Sequence, residues 1–184
     1  MAEPARTPLR VEGAGFVVRP WRIDDLDALL EHADDAQVVR GLSDRFPHPY
    51  TRADGEAFLS GRVVDLSTAW AIELDGRACG GIGLLLQQGE RAHVARLGYW
   101  LGRRHWGRGH MSRIVGAFLD AAVPAFGLQR VEAFVLDGNT ASVRVLAKNG
   151  FQPEGTTRAA VCKDGRFHDL HWFARLWGEA ASGH

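Results

Sequence analysis

Cysteine is nearly absent from this sequence: two in 184 residues, Cys79 and Cys162, far apart and in no C-x-x-C spacing. That scarcity argues against a disulfide framework or a zinc knuckle and fits reduced thiols in a cytoplasmic setting. Long apolar runs are also missing. Ile82-Gly83-Leu84-Leu85-Leu86 is far short of a membrane span, and Met1-Ala2-Glu3-Pro4-Ala5-Arg6 lacks the apolar core of a signal peptide. Net charge is absent as well, since Lys+Arg and Asp+Glu both number 22. Nothing therefore suggests an extended nucleic-acid surface, although a local basic patch is allowed. No Gly-Lys-Ser/Thr follows a glycine loop and no G-x-G-x-x-G occurs, which disfavours P-loop and Rossmann sites. Repeats and low-complexity linkers are lacking too. With 46% hydrophobic and 24% charged residues, the chain can bury one sizeable core. The reading is a single domain over residues 9–178, with tails at 1–8 and 179–184.

What is present alternates between the two periodicities. Phe16–Pro20 reads as a first strand, stopped by proline's missing donor. Asp24 is expected to cap a helix carrying Leu26, Leu29 and Leu30. Its acidic residues (Asp25, Asp27, Glu31, Asp34 and Asp35) read as solvated surface or as a lure for a cationic acceptor. Thr51 caps a helix reaching about Val64. Ala69–Leu74 and Ala78–Leu86 form strands around the turn Asp75-Gly76. His93–Leu101 is the next strand, with Gly98 marking a bulge or a close backbone approach. Met111, Ile114, Val115, Phe118, Leu119, Ala122 and Val123 follow helical spacing, with Pro124 ending or kinking the helix and Gly127 stopping it. Val131–Leu136 is a strand, Asn139 caps a helix through Ala147, and Asn149-Gly150 closes it. Phe151–Val161 and Phe167–Leu176 make a closing hairpin. This order predicts an α/β (α+β) domain around a central sheet.

The stretch Gly98–Met111 runs from an apolar strand through a glycine-bearing loop into an amphipathic helix. Free N–H groups at the positive end of a helix suit a phosphate or pyrophosphate. Gly107 and Gly109 permit close backbone approach, and Arg103, Arg104 and Arg108 add positive charge. An ordinary strand-to-helix turn is the other reading of the same residues.

Three separated segments resemble one family. Arg104-His105-Trp106-Gly107-Arg108-Gly109 matches the Arg/Gln-x-x-Gly-x-Gly/Ala signature of the GNAT superfamily of acyl-CoA-dependent N-acetyltransferases. Asn139-Thr140-Ala141-Ser142 and Arg144–Phe151 resemble the Asn-x-x-Ser…Lys-x-Gly-Phe segment of its ribosomal-protein N-terminal (Rim) branch. Pro49-Tyr50-Thr51 and the hairpin ending Phe167-His168-Asp169 are similar to that branch too. The resemblance implies a mixed, mostly antiparallel twisted sheet flanked by helices, with acetyl-CoA as donor and a primary amine as acceptor. The amine would belong to a protein N-terminus or, alternatively, to a small molecule such as an aminoglycoside or polyamine. A non-catalytic acyl-CoA-binding module is a third reading. Neither nucleic acid nor a membrane is expected as partner, and the resemblance is compatible with a homodimer.

By the same resemblance, Tyr99, Trp100 and Leu101 lie along the pantetheine, with a main-chain N–H near Leu101 on the thioester carbonyl. Arg104, Trp106, Gly107, Arg108, Gly109, His110 and Met111 form the pyrophosphate loop. Asn139 would hydrogen-bond the pantetheine, and Ser142 would protonate the departing sulfur as general acid; both residues would equally serve as plain helix caps. The base has no clear owner. Val161 stands where some members carry glutamate, and Arg96 where many carry an acidic residue two before the Gly-Tyr. Both departures remove a carboxylate that a cationic N-terminus would favour. His93, Glu132, His168 and Asp169 are the alternatives. His168 and His171 point to opposite faces of a strand, so no metal site is expected. The acceptor pocket is placed between the first two helices and the final hairpin, with Trp21, Phe46, Tyr50, Trp70 and Trp172 as lining candidates.

Overall fold

The computed structural model describes residues 9–42 and 46–178, so the tails expected at 1–8 and 179–184 lie outside the described residues. The strands are β1 (Val11–Gly13), β2 (Phe16–Pro20), β3 (Ala69–Leu74), β4 (Arg77–Leu86), β5 (Val94–Leu101), β6 (Arg130–Leu136), β7 (Gln152–Lys163) and β8 (Arg166–Leu176). The helices are α1 (Leu26–Ala33), α2 (Ala36–Arg40), α3 (Arg52–Leu59), α4 (His110–Ala125) and α5 (Thr140–Lys148). All eight strands join one sheet in the order β1-β2-β3-β4-β5-β6-β8-β7. Every neighbouring pair is antiparallel except β5 with β6, which α4 connects. The expected mixed, mostly antiparallel sheet is therefore what forms.

Alternation along the strands divides the two faces. Phe16, Val18, Trp70, Ile72, Ile82, Leu84, Ala95, Leu97, Val131 and Ala133 join Ile114, Val115, Phe118 and Leu119 of α4 and Leu146 of α5 in the main core. The opposite face of β2–β5 is covered by α1 and α3, through Ala28 on Ala71 and Ala78, and through Leu29 and Ala33 on Tyr50 and Trp100. Beyond β5 that second face carries no helix, and Phe134 and Trp172 meet edge to face there.

Glycine ends three helices in one way. In α3, α4 and α5 the N–H two residues past the cap (Arg62, Leu128 and Phe151) returns to Ala57, Val123 and Leu146, around Gly61, Gly127 and Gly150 at positive φ. Gly127 and Gly150 behave as their positions suggest. Gly61 stops α3 at Leu59, five residues before the expected Val64. Pro124 lies inside α4, which ends one residue later. The hydrogen bond proline forfeits is to the carbonyl of Asp120, an exposed residue that water can reach.

Three further expectations are corrected. Asp24 does not cap the first helix; Asp25 organises that corner instead. It accepts the Arg22 N–H at 2.8 Å and takes both ends of the Arg19 guanidinium at 2.8 Å, while Arg19 Nε donates to Glu73 at 2.6 Å. Arg19 is only 3% exposed, so this charge-assisted cluster joins β2, β3 and α1 in the interior. β1 and α2 were not anticipated, because three and five residues are too few to show a period. Gly98 creates no register slip against β4, so the bulge reading is set aside.

The acidic helix face is exposed at Asp27, Glu31 and Asp34, as a surface reading expects, but much of its charge is paired. Asp27 pairs with Arg52, Glu31 with Arg77 and Arg104, and Asp35 with Arg103. His32, 4% exposed, sits against Gly102, where a Cβ would come within 2.4 Å of its Nδ1. Its Nε2 accepts from Arg104 at 3.0 Å, which places the ring proton on Nδ1. Burial, reinforced by the Arg104 charge, pushes His32 down to about 4 from the usual 6.5. Between those values an unfolded chain takes up a proton that the folded one refuses, so His32 withdraws stability as pH falls from about 6.5 towards 4. We expect the thermal midpoint to drop more steeply over that interval in the native protein than in His32→Asn. Parallel pH curves for the two proteins would remove His32 as the cause.

Candidate functional site

The site begins where two strands part. β5 and β6 share three register pairs, Val94↔Arg130, Ala95↔Val131 and Arg96↔Glu132, after which no pairing continues. β5 nevertheless runs on to Leu101 beside β4, and β6 to Leu136 beside β8. A wedge-shaped gap opens between them. Which backbone groups line it follows from the antiparallel ladder. The Gly102 N–H donates to Cys79 O at 2.7 Å, and the Gln87 N–H to Val94 O at 3.0 Å. Even-numbered residues of β5 therefore face β4 and odd ones the other side, so that past the last pair with β6 the amides of Tyr99 and Leu101 turn towards the gap. Trp100 accordingly has its backbone on β4, while its ring packs edge-on to Phe46 over α1 and α3. The Leu101 carbonyl is taken by the Trp106 indole N–H at 2.7 Å, which leaves the Leu101 amide facing the gap.

The loop after β5 is a single helical turn, Arg103–His105, in which the His105 and Trp106 amides return to Gly102 and Arg103. Trp106 thus has its amide engaged and acts through its ring. From Gly107 onward the amides are uncovered: among the described residues, those of Gly107, Arg108, Gly109, His110, Met111 and Ser112 reach no protein acceptor, and the ladder of α4 resumes at Arg113. Gly107 at φ 75° and Gly109 at φ 72° adopt the left-handed conformation that turns successive N–H groups outward. Both positions are open, with nothing within 4 Å of an added Cβ. Arg104 is turned away from this mouth onto Glu31, His32 and His105, and Arg103 onto Asp35. These two arginines anchor the loop to α1 and to the cap of α2. Arg108 is exposed beside the glycines, and Met111 is packed against the main core.

Across the gap stands the N-terminus of α5. Asn139 Oδ1 accepts the Ser142 N–H at 3.1 Å, so the expected cap forms. Ser142 Oγ lies 2.8 Å from the Tyr99 hydroxyl, the side-chain contact that bridges β5 to α5 over the opening. Burial pushes the Tyr99 phenol up to about 12, with the Ser142 hydrogen bond acting the other way. Tyr99 therefore remains a proton donor at neutral pH.

The second face of the gap holds the remaining candidates. Glu132 is engaged by Arg91 at 2.8 Å and Arg130 at 3.0 Å, and Glu154 by Arg130. His93 lies before β5, at the end away from the glycine loop, where its carbonyl accepts from Gln129 and Arg130. Asp169 accepts the Ala159 N–H at 2.8 Å. His168 Nδ1 is 2.7 Å from Asp137 Oδ1, just past the end of β6. Val161 pairs opposite His168 in the hairpin. Of the aromatic candidates, Trp70 belongs to the main core against Phe118 and Phe126, and is corrected. Trp21, Phe46 and Tyr50 form the cluster under α1 and α3, and Trp172 stands on the open face with its indole on Thr157. Sequence reasoning missed Phe134, an exposed strand residue with no distinguishing pattern. It also missed Lys163, whose ammonium at the hairpin tip donates to Val39 O at 2.7 Å and to Leu42 O beyond α2. Through Lys163 the hairpin tip meets α2, which was not one of the two helices expected to bound the acceptor pocket.

An uncovered strand edge leading to a row of uncovered amides at a helix N-terminus fits a ligand with an amide-bearing arm and a terminal phosphate group. The comparisons agree with that chemistry. Residues 16–152 match the family model described as an acetyltransferase (GNAT) domain. The Bacillus subtilis (strain 168) protein named "Probable N-acetyltransferase YjcK" is 36% identical over 181 residues, covering 90% of this chain and 96% of that protein. "Uncharacterized N-acetyltransferase p20" of Bacillus licheniformis is 29% identical, covering 90% and 95%. Among solved structures, Mycobacterium smegmatis RimJ in complex with CoA-disulfide superposes with a TM-score of 0.75 at 26% identity, covering 92% of this chain and 86% of that one. The chain belongs to the GNAT acetyltransferase family.

Proposed function

We propose that this protein acetylates a primary amine by direct attack inside the β5–β6 gap. One observation carries the reading: uncovered strand amides, uncovered helix-terminal amides and the Tyr99–Ser142 hydroxyl pair all converge on the same opening. Acetyl-CoA supplies the electrophilic carbonyl and a thiolate leaving group. The amides of Gly107 to Met111 hold the pyrophosphate, with Arg108 beside them. The gap-facing edge of β5 pairs with the pantetheine arm, and Asn139 assists from α5. The Leu101 N–H polarises the thioester carbonyl. Ser142, oriented by a phenol that keeps its proton, donates to the departing sulfur. For the base we favour His168. Asp137 engages its Nδ1, and no group among the described residues bonds its Nε2, which can take the amine's proton directly or through water.

The Rim-like segments and the likeness to RimJ support a protein N-terminal α-amino group as acceptor. The charge of the open face modifies that reading. Glu132 and Glu154 of the cleft are engaged by arginines, which disfavours a polycation there. An N-terminus that is not strongly basic, or a small-molecule amine other than a polyamine, is better matched. Acetyl-CoA turnover against N-terminal peptides and amines, read by thiol release, tests the reading. CoA binding without turnover of any acceptor would identify a binding module instead.

Gly109→Asp should weaken CoA affinity at least roughly 10-fold in calorimetry, because it brings a carboxylate to the anion-facing amides; unchanged affinity would displace the loop from its role. Ser142→Ala should lower kcat by roughly 10–100-fold with CoA affinity nearly intact, and a fully active variant would remove Ser142 from the chemistry. His168→Gln should lower kcat by roughly 100-fold with CoA affinity nearly intact, so a fully active variant would point to another base.

A further inference from the structure

We infer that Arg96 selects acceptors bearing a carboxylate close to the amine, an inference that rests on the acetyl-transfer reading above and extends it to the substrate class. Arg96 occupies the last register pair before the strands part, on the face without a helix. Its guanidinium lies against the edge-to-face pair of Phe134 and Trp172, 5.5 Å from each ring centroid, with the two centroids themselves 5.6 Å apart. Its Nε is shut off from solvent and makes no hydrogen bond. Among the described residues no carboxylate pairs with it, although two stand in the same cleft. Glu132 is held by Arg91 and Arg130, and Glu154 by Arg130. The cleft, about 460 Å³, is lined by these groups together with Gln87, Thr156, Thr157 and Trp172. Its charges comprise three arginines and two glutamates, and the unmatched one is Arg96.

An arginine so placed has two properties. The aromatic rings compensate the cation's desolvation and fix the plane of the fork, so that its donors are oriented before any ligand arrives. Guanidinium is also matched in shape to carboxylate, which it takes through two parallel hydrogen bonds. Because the guanidinium reaches Phe134, two residues past the last shared pair, a carboxylate bound there would leave an amine a few bonds further towards the mouth of the gap, where the thioester is placed. A cation at this point also disfavours an ammonium neighbour and eases release of the proton that must leave before attack. Two sources supply this chemistry: the α-carboxylate of a free amino acid, and the acidic side chain of a peptide's first residue.

The test compares each carboxylate with its amide. One arm sets free L-amino acids against their C-terminal amides. The other sets amidated peptides beginning with Asp or Glu against those beginning with Asn or Gln. For the native protein we expect kcat/KM to favour the carboxylate at least roughly 10-fold in one arm, as hydrogen bonds to a charged group warrant. Arg96→Met, which keeps an unbranched apolar stem against the rings, should abolish that preference, and Arg96→Lys should restore part of it. CoA affinity, read by calorimetry, should be unchanged in both variants. The same probes are titrated onto CoA-saturated protein by calorimetry, so that binding is read without turnover. Carboxylates that bind and react no better than their amides, or a preference that survives Arg96→Met, overturn the inference. Turnover of amines without carboxylate preference refutes the role of Arg96 alone. Absence of any turnover counts against the acetyl-transfer reading, while the binding titration still decides the carboxylate.

Discussion

Three register pairs hold the two halves of this sheet together, and everything on either side depends on their being only three. β5 is zipped to β4 along its whole length, and β6 to β8 along all of its own. Closing the gap further would require one strand to leave an established ladder, so the opening is fixed by pairing on its outer sides. Backbone amides left uncovered there are a standing demand for partners, because a dry unpaired amide costs on the order of 1–3 kcal/mol. A ligand that behaves as a short strand meets that demand along β5, and the outward-turned amides before α4 continue it. The binding surface is thus made from main chain, which explains how little of it depends on particular side chains.

Charge is arranged by the same economy. A chain with no formal net charge nevertheless contains dense local clusters, and nearly all are closed pairs. The acidic residues of α1 and of the turn before α2 are matched by Arg52, Arg77, Arg103 and Arg104, which fasten surrounding loops to these helices. Arg19 does so in the interior, where two carboxylates make its burial tolerable. Arg96, held by two aromatic rings and no carboxylate, stands beside the vertex of the gap.

Local signals were legible in the sequence and long-range ones were not. The strands around Asp75-Gly76, the Asn139 cap, the glycine stops at Gly127 and Gly150 and the glycine loop all announce themselves within a few residues. So does Gly61, a stop signal that the helical pattern towards Val64 obscured. Asp25 could not be told from Asp24, because the difference lies in Arg19 and Glu73 approaching from separate strands. The ion pairing of the acidic surface was not legible for the same reason: its partners are 25 to 73 positions away. Trp70, Trp100 and Trp172 are one residue type with three fates, set by which face of the sheet each turns towards and, on the second face, by whether helices cover it. The family signature located the donor side because backbone geometry there is written in glycines. The acceptor side is written in pairings among arginines, carboxylates and rings, and these exist only after folding.

The hairpin tip adds a closure to the gap. From β5 the circuit passes through Arg103 to Asp35, along α2, through Lys163 into β7, across β8 to β6, and back to β5 at the three shared pairs. The opening is therefore an eyelet with a complete rim. Most of that rim is ladder and barely yields to solvent conditions, but the Arg103–Asp35 link is a partly exposed ion pair and the Lys163 link a single ammonium on carbonyl oxygens. Both weaken as ions accumulate around them, whereas the ladder does not. The aperture presented to an incoming amine is in this sense a property of the surrounding electrolyte as well as of the fold.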